Sequence, residues 1–388
     1  MKIKSISNQT NILMLLSNPA AYDPRPLKEA VSLIKNGYNV IFLAWDREGN
    51  YSKFERSKNL TIKRFKFRAR YGHNPKTILG FLFYYFWCIV NSFILDFSFI
   101  HCHDFDTVLV GVLVKLFKHN VKIIYDAHEI YPEMVKAEIP YVLYVLLRWI
   151  DKVFTRIADC VIVPSEERKK FYSGAKRVIV VPNVPKVVDI STNREYKKRN
   201  FVIFYGGALS ESSGILYMIR AVLHIPDVQL ILAGEGRLKN TIQKISKKSN
   251  KILYLGVIPH QKYLENLASA DATFVFYSPT NLNNIYSASN KFFEAIMMGV
   301  PIIVNEESIH SRIVKKYNCG LVVPYGDICY LENAILKLKN DVALREKLGK
   351  NGRRAFKENF LWDLYEKKLI KCYQELLTER LRVKRYVS

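Results

Sequence analysis

The feature that most narrows the fold is an alternation that runs through the chain twice. Short β-branched runs trade places with longer helical patterns: Asn11–Ser17, Tyr38–Trp45, Leu60–Phe67, Phe97–Cys102, Val121–Tyr125, Cys160–Val163 and Val178–Val181 read as strands. Helix patterns such as Pro26–Asn36 and Thr107–Lys118 fall between them. Strict alternation implies a parallel sheet with right-handed crossovers and helices on both faces. After a polar, basic stretch from Lys186 to Asn200, which lacks apolar periodicity, the alternation starts again. Phe201–Tyr205, Val228–Ala233, Ile252–Leu255, Ala272–Phe276, Pro301–Val304 and Leu321–Val323 are its strands. The chain is therefore predicted to be an α/β protein of two Rossmann-like, doubly wound domains, residues 1–185 and 201–355, joined by a linker at 186–200 and facing a central cleft. Its 388 residues suit two cores better than one.

Charge restricts the partners. The formal net charge is +24, spread over both halves, which favours anionic molecules: nucleic acid, an anionic membrane surface or phosphorylated substrates. No RRM, KH, zinc-finger or helix-turn-helix pattern accompanies it, so no nucleic acid is expected. Six cysteines are scattered without a C-x-x-C pair, several inside apolar runs, as in a reducing cytosol. Met1 to Thr10 is polar and lacks the apolar core and cleavage site of an export signal.

Two segments bear on membranes. Thr77–Leu95 carries no charge and is rich in aromatics, so it meets the length test for a span, but Gly80, Asn91 and Ser92 interrupt it. The strand that follows at once is needed in the sheet, which makes this a buried or membrane-surface helix. In Leu60–Tyr71 the period of two puts Phe65, Phe67 and Tyr71 on one face, and Arg64, Lys66, Arg68 and Arg70 on the other. That basic ridge is expected to be a solvated strand face or a contact for lipid phosphates.

In open parallel sheets ligands bind beyond the carboxyl ends of strands. Two such ends are crowded with imidazoles and carboxylates: His101 to Asp106, and Asp126 to Glu133. His103, His128 and Glu129 are the candidate catalytic residues, with the general base left open, and His101 reads as structural. Fixed metal-ligand spacing such as H-E-x-x-H is missing, so no metal is expected. In the second half, Gly206-Gly207 and Gly234-Glu235-Gly236-Arg237 each close a strand before a helix, where a backbone can approach a diphosphate. Tyr286 to Ile303 reads as loop, helix, glycine stop and buried strand. Ser289, Asn290 and Lys291 would stand at that helix start, facing an anion, with Glu294 one turn later.

This last stretch resembles the nucleotide-sugar-binding signature of the family 4 glycosyltransferases. Other blocks are similar to the family in order: Asp23-Pro24-Arg25 with Gly37 to Val40, His101–Asp106, Tyr125–Glu129, Ala158–Ser165, Val181 to Asn183, Leu232–Gly236, Leu255–Pro259, Ala270-Asp271 and Cys319–Asp327. The resemblance implies the GT-B fold, with residues 356–388 forming a final helix that crosses back to the first domain. It implies that Glu294 binds the nucleotide ribose and that His103 and His128 lie near the transferred sugar and acceptor. The implied reaction is retaining, metal-independent and without a cofactor beyond the nucleoside diphosphate sugar donor. Two departures stand out: Tyr286 takes the place of the family's first Glu, and Ala208 and Ser213 stand where an Arg and a Lys neutralise the diphosphate. Lys291 and Arg237 are the local substitutes. The expected acceptor is a glycan or lipid-linked glycan in surface polysaccharide assembly, at the cytoplasmic face of the plasma membrane. A non-catalytic partner subunit and a sugar-nucleotide epimerase remain the alternatives.

Overall fold

The structure is a computed structural model that describes residues 10–21, 23–69, 75–188 and 200–387. Arg70 and Tyr71, most of the 186–200 linker, and the Lys384 and Arg385 side chains lie outside the described residues. The chain divides into two compact units: Met1–Pro182 with Tyr365–Ser388, and Asn183–Leu364.

Unit 1 is built on one sheet of β1 (Asn11–Leu16), β2 (Asn39–Asp46), β3 (Phe54–Arg56), β4 (Leu60–Lys66), β5 (Phe99–His103), β6 (Lys122–Asp126), β7 (Cys160–Val163) and β8 (Val178–Val180). Their order is β3-β4-β2-β1-β5-β6-β7-β8, parallel except for the edge strand β3. β3 escapes a periodicity reading because it is three residues long and wholly exposed. β5 and β7 are buried at every position, as a parallel sheet covered on both faces requires. The helices are α1 (Pro24–Lys35), α2 (Pro75–Ile94), α3 (Phe105–Phe117), α4 (Tyr131–Val135) and α5 (Tyr141–Ile157). Asp23 caps α1, its carboxylate accepting from the Arg25 N–H, with proline in the first turn.

α2, α3 and α5 share one core with one face of this sheet, joining Tyr84, Cys88, Val108, Val114 and Phe154 to Leu13, Trp45 and Ile100. The last helix (Trp362–Val387) packs Tyr373 against Tyr38, Phe99 and His101. Phe99 and His101 alternate with Ile100 along β5, so this helix covers the opposite face. The basic ridge is a free surface only in part: Arg68 is exposed, whereas Arg64 and Lys66 are paired. Arg64 is buried and donates to the carbonyls of Pro19 and Ser52 at 2.7 and 2.8 Å, while Lys66 pairs with Asp46 at 2.5 Å. Their charge is spent inside the unit, because β4 runs beside β2 and is crossed by the β3 edge.

Unit 2 repeats the architecture with β9 (Phe201–Gly206), β10 (Val228–Ala233), β11 (Ile252–Tyr254), β12 (Ala272–Val275), β13 (Ile302–Asn305) and β14 (Gly320–Val323). The order is β11-β10-β9-β12-β13-β14, all parallel. Strand order reverses between β9 and β12, and such a switch point leaves a crevice at the carboxyl ends of the two strands. Around the sheet lie α6 (Ile215–His224), α7 (Lys239–Ser246), α8 (His260–Ser269), α9 (Leu282–Ile285), α10 (Asn290–Met298), α11 (Ile309–Tyr317), α12 (Ile328–Asn340) and α13 (Val342–Asn359).

Candidate active site

In unit 1, β5 and β6 each run one residue beyond the predicted end, and their register sets His103 beside Asp126. Arg25, at the start of α1, clasps Asp126 with two hydrogen bonds of 2.9 and 2.6 Å and donates a third, of 2.7 Å, to the Val181 carbonyl. His128 donates from Nε2 to Asp126 at 2.9 Å, and its Nδ1 lies 3.4 Å from Asp104. Burial alone would lower the His128 pKa. The Asp104 and Asp126 carboxylates outweigh that and push it up to about 10, so the ring is an imidazolium.

His103 behaves oppositely. Burial and the neighbouring His101 hold it well below the usual histidine range, and its Nδ1 lies 3.2 Å from His128 Nε2. Its buried Nε2 has no hydrogen-bond partner among the described residues. His101 stacks on His103 with centroids 4.3 Å apart, and its Nδ1 lies 2.8 Å from the Tyr373 hydroxyl. Glu129 is half-buried and pairs with Arg168 at 3.3 Å, while Arg168 also donates to the His128 carbonyl.

Glu29, His101, His103 and Asp126 could offer donor atoms to a metal, all within 4.8 Å of one another. Sequence spacing hides this group, since Glu29 arrives from α1 and the others from β5 and β6. Arg25 and the His128 imidazolium already supply positive charge to Asp126, and burial with Asp126 raises the Glu29 pKa towards its neutral form. A dication here would add uncompensated positive charge to a dry site. The donor set therefore fits a self-neutralised network better than a metal.

In unit 2 the residues gather at the switch point. Lys291, in the first turn of α10, donates from Nζ to the Tyr205 hydroxyl at 2.9 Å and lies 4.4 Å from the centre of that ring. Among the described residues it has no carboxylate partner. Gly207 lies directly beneath it: a Cβ there would come within 3.1 Å of Nζ. Gly234 presses onto the Gly207 carbonyl, where a Cβ would approach to 1.9 Å, and a Cβ on Gly206 would meet the Tyr263 ring at 2.4 Å. Close packing within the unit thus demands Gly206 and Gly234, whatever else they touch. Arg237 is exposed in the turn that follows.

Ser289 caps α10 by backbone only. Its hydroxyl makes no cap bond and is buried without a partner among the described residues, while Asn290 begins the helix half-exposed. His310, from α11, accepts from the Ser289 N–H at 3.4 Å through Nε2, which leaves a buried Nδ1–H without a partner among the described residues. Burial, with Lys291 beside it, lowers the His310 pKa to about 3, so it stays neutral. Glu294 is buried one turn on and bound to His260 Nε2 at 2.9 Å, with Tyr263 beside it. A helix start, an ammonium without a carboxylate ion pair and two buried polar groups without partners among the described residues make a site for an anion.

Tyr205, Tyr263, His260 and His310 have no signal of spacing. Arg25 and Asp126 fall in recognised blocks without a role. Ala208 and Ser213 contribute no cation: the Ala208 carbonyl accepts from Tyr205, and the Ser213 hydroxyl donates to the Ser210 carbonyl. Lys291 brings one to the adjoining Gly207 from the α10 side.

The sequence matches the family model for glycosyl transferases group 1 over residues 188–355 and that for glycosyltransferase family 4 over residues 29–184. It is 27% identical over 241 residues to an uncharacterized glycosyltransferase of Methanocaldococcus jannaschii, covering 55% of this chain and 56% of that one. It is 25% identical over 169 residues to the GDP-mannose-dependent monoacylated alpha-(1-6)-phosphatidylinositol monomannoside mannosyltransferase of Corynebacterium glutamicum, covering 42% and 43%. The chain thus spans about half the length of these curated relatives. Among solved structures, sucrose-phosphate synthase from Thermosynechococcus elongatus superposes with a TM-score of 0.80 at 20% identity, over 96% of this chain and 100% of that one. Anabaena HepE in complex with UDP and glucose does so at 0.71 and 14%, over 94% and 100%. The fold is GT-B, and the two units match, in turn, the models for glycosyltransferase family 4 and for glycosyl transferases group 1.

Proposed function

We propose that the protein transfers a sugar from a nucleoside diphosphate sugar to an acceptor hydroxyl, with retention at the anomeric carbon and without a bound metal. The observation that carries this reading is Lys291, a cation with no carboxylate ion pair among the described residues, held over Gly207 at the start of α10. Departure of a nucleoside diphosphate concentrates negative charge on its phosphates, and a preorganised ammonium with helix N–H groups offsets that charge as it develops. Ser289 and the His310 Nδ1–H supply further donors, and Glu294, steadied by His260, takes the ribose hydroxyls. In unit 1, the His128 imidazolium and neutral His103 serve the sugar or acceptor. The acceptor is a lipid-linked glycan at the cytoplasmic face of the plasma membrane, in keeping with the lipid acceptor named for the Corynebacterium relative.

Thermal-shift screening of UDP-, GDP- and ADP-sugars tests the donor. One of them is expected to raise the Tm, and Lys291→Ala to abolish the rise. NMR of the product's anomeric configuration tests retention; an inverted product, or no shift with any donor, overturns the reading.

A further inference from the structure

The outward residues of α2, α3 and α5 are unusual for a soluble surface. Leu82 and Phe86 of α2, Leu116 and Phe117 of α3, and Val142 and Trp149 of α5 are each 60% to 80% exposed. The other exposed residues of these helices are apolar, a proline, or the bases Lys76, Arg148, Lys152 and Arg156; none is acidic or an amide. Their acids, Asp106 and Asp151, are turned away from solvent. α13 shows the ordinary pattern instead, exposing Glu346, Lys347, Arg353 and Glu358.

The patch is continuous. α2 packs beside α3 and α3 beside α5, and Phe93 meets Phe117 across the first seam with centroids 5.6 Å apart. Contiguous apolar surface rimmed by charge marks an interaction site. Charge selects the occupant: a second copy would bring the same three helices, whose exposed charges are all basic, against these and be repelled, whereas an anionic bilayer complements them. Tyr141 and Trp149, both exposed, suit the headgroup level, and the Arg and Lys stems can lie along apolar surface with their charges at phosphates. α2 itself does not leave the unit, since its Tyr84 hydroxyl is bound to the Leu16 and Leu43 carbonyls at 2.8 and 3.0 Å.

We propose that the outer faces of α2, α3 and α5 together form a docking surface for an anionic lipid bilayer. The apolar side chains enter the acyl boundary and the basic ones meet lipid phosphates. This deepens the membrane half of the function proposed above and rests on it, but involves no residue of the donor site.

Sedimentation with vesicles of phosphatidylcholine, alone or mixed with phosphatidylglycerol, tests it. The full chain should bind the mixed vesicles, less so in high salt. The triple variant Phe86→Ser, Phe117→Ser, Trp149→Ser should partition at least about tenfold more weakly, with an unchanged Tm because these side chains face solvent. Brominated lipid should quench the wild type more than Trp149→Phe, which reads insertion without disturbing the patch. The idea fails if mixed vesicles are not bound, if the triple variant binds as well as wild type, or if the triple variant instead dissociates a dimer. Nucleotide-sugar thermal shift in the triple variant separates the two proposals: a normal shift with no vesicle binding by wild type sinks the docking surface alone, and an absent shift with normal vesicle binding sinks the donor reading alone.

Discussion

Unit 1 and unit 2 each collect charged side chains at the carboxyl ends of a parallel sheet, yet they leave them in opposite states. In unit 1, Asp126 is held by Arg25 and His128 together, and the cations are matched before any ligand arrives. In unit 2, Lys291 donates to a phenol and lies over ring faces without a carboxylate ion pair among the described residues, and two buried polar groups nearby have no partner among them. The first arrangement stabilises and orients; the second waits for an anion. One fold plan therefore yields a stiff half and a receptive half, and substitutions should separate stability from binding along that line.

The largest effect should come from the stiff half. Arg25→Ala leaves the buried Asp126 without its main counter-ion, and breaking a buried pair from one side costs about 3–5 kcal/mol. Urea denaturation should show that loss; a change below about 1 kcal/mol, the range of surface pairs, would end the distinction. Next comes the receptive half. Lys291→Ala should slow product formation from the nucleotide sugar by roughly 10²–10³-fold, the usual cost of losing one preorganised donor. Its stability should stay within about 1 kcal/mol, since no buried charge is orphaned. A large drop in Tm with little change in rate would make Lys291 structural.

Titration sharpens the contrast, because the two units hold histidines shifted in opposite directions. His128, raised to about 10, contributes stability that is fully present below its unfolded value of about 6.5 and is lost as pH climbs towards 10. His310, lowered to about 3, contributes the reverse: present above about 6.5 and lost as pH falls towards 3. Comparing His128→Gln with wild type, the stability difference should shrink by roughly 2 kcal/mol between pH 7 and 9, at about 1.4 kcal/mol per pH unit for one proton. His310→Gln should show no such trend there. A flat difference for His128→Gln would mean the ring is not an imidazolium.

How much of this was legible in the chain follows from the range of each interaction. The two sheets were readable because burial on both faces writes itself as short apolar runs; β5 and β6 were each placed a residue or two early, since they start at Phe99 and Lys122 and end at His103 and Asp126, which are polar but still in the ladder. The basic alternation in β4 misled for a related reason. Period two tells which side chains share a face, but not that Glu55, Pro19 and Ser52 wait there for Arg64. Ser289 to Lys291 could be placed from a local loop-to-helix pattern. His310 and Tyr205 could not, since they reach Ser289 and Lys291 from α11 and β9, and only the tertiary fold creates those contacts.

Glu294 gives the smallest and most discriminating test. Its carboxylate is buried but not spent: His260 takes one oxygen at 2.9 Å, from an imidazole that is itself mostly exposed. That hydrogen bond, with the Glu294 charge, raises the His260 pKa, which fixes the ring as a donor and orients the carboxylate for a ligand hydroxyl. Glu294→Ala should weaken nucleotide-sugar binding by about tenfold, or 1.4 kcal/mol, the worth of a hydrogen bond to a charged group. His260→Ala removes only the orienting partner and should cost less, by calorimetric titration under the same conditions. If His260→Ala proves the more damaging of the two, the imidazole and not the carboxylate meets the nucleotide, and the receptive half of the molecule is built around a different anchor.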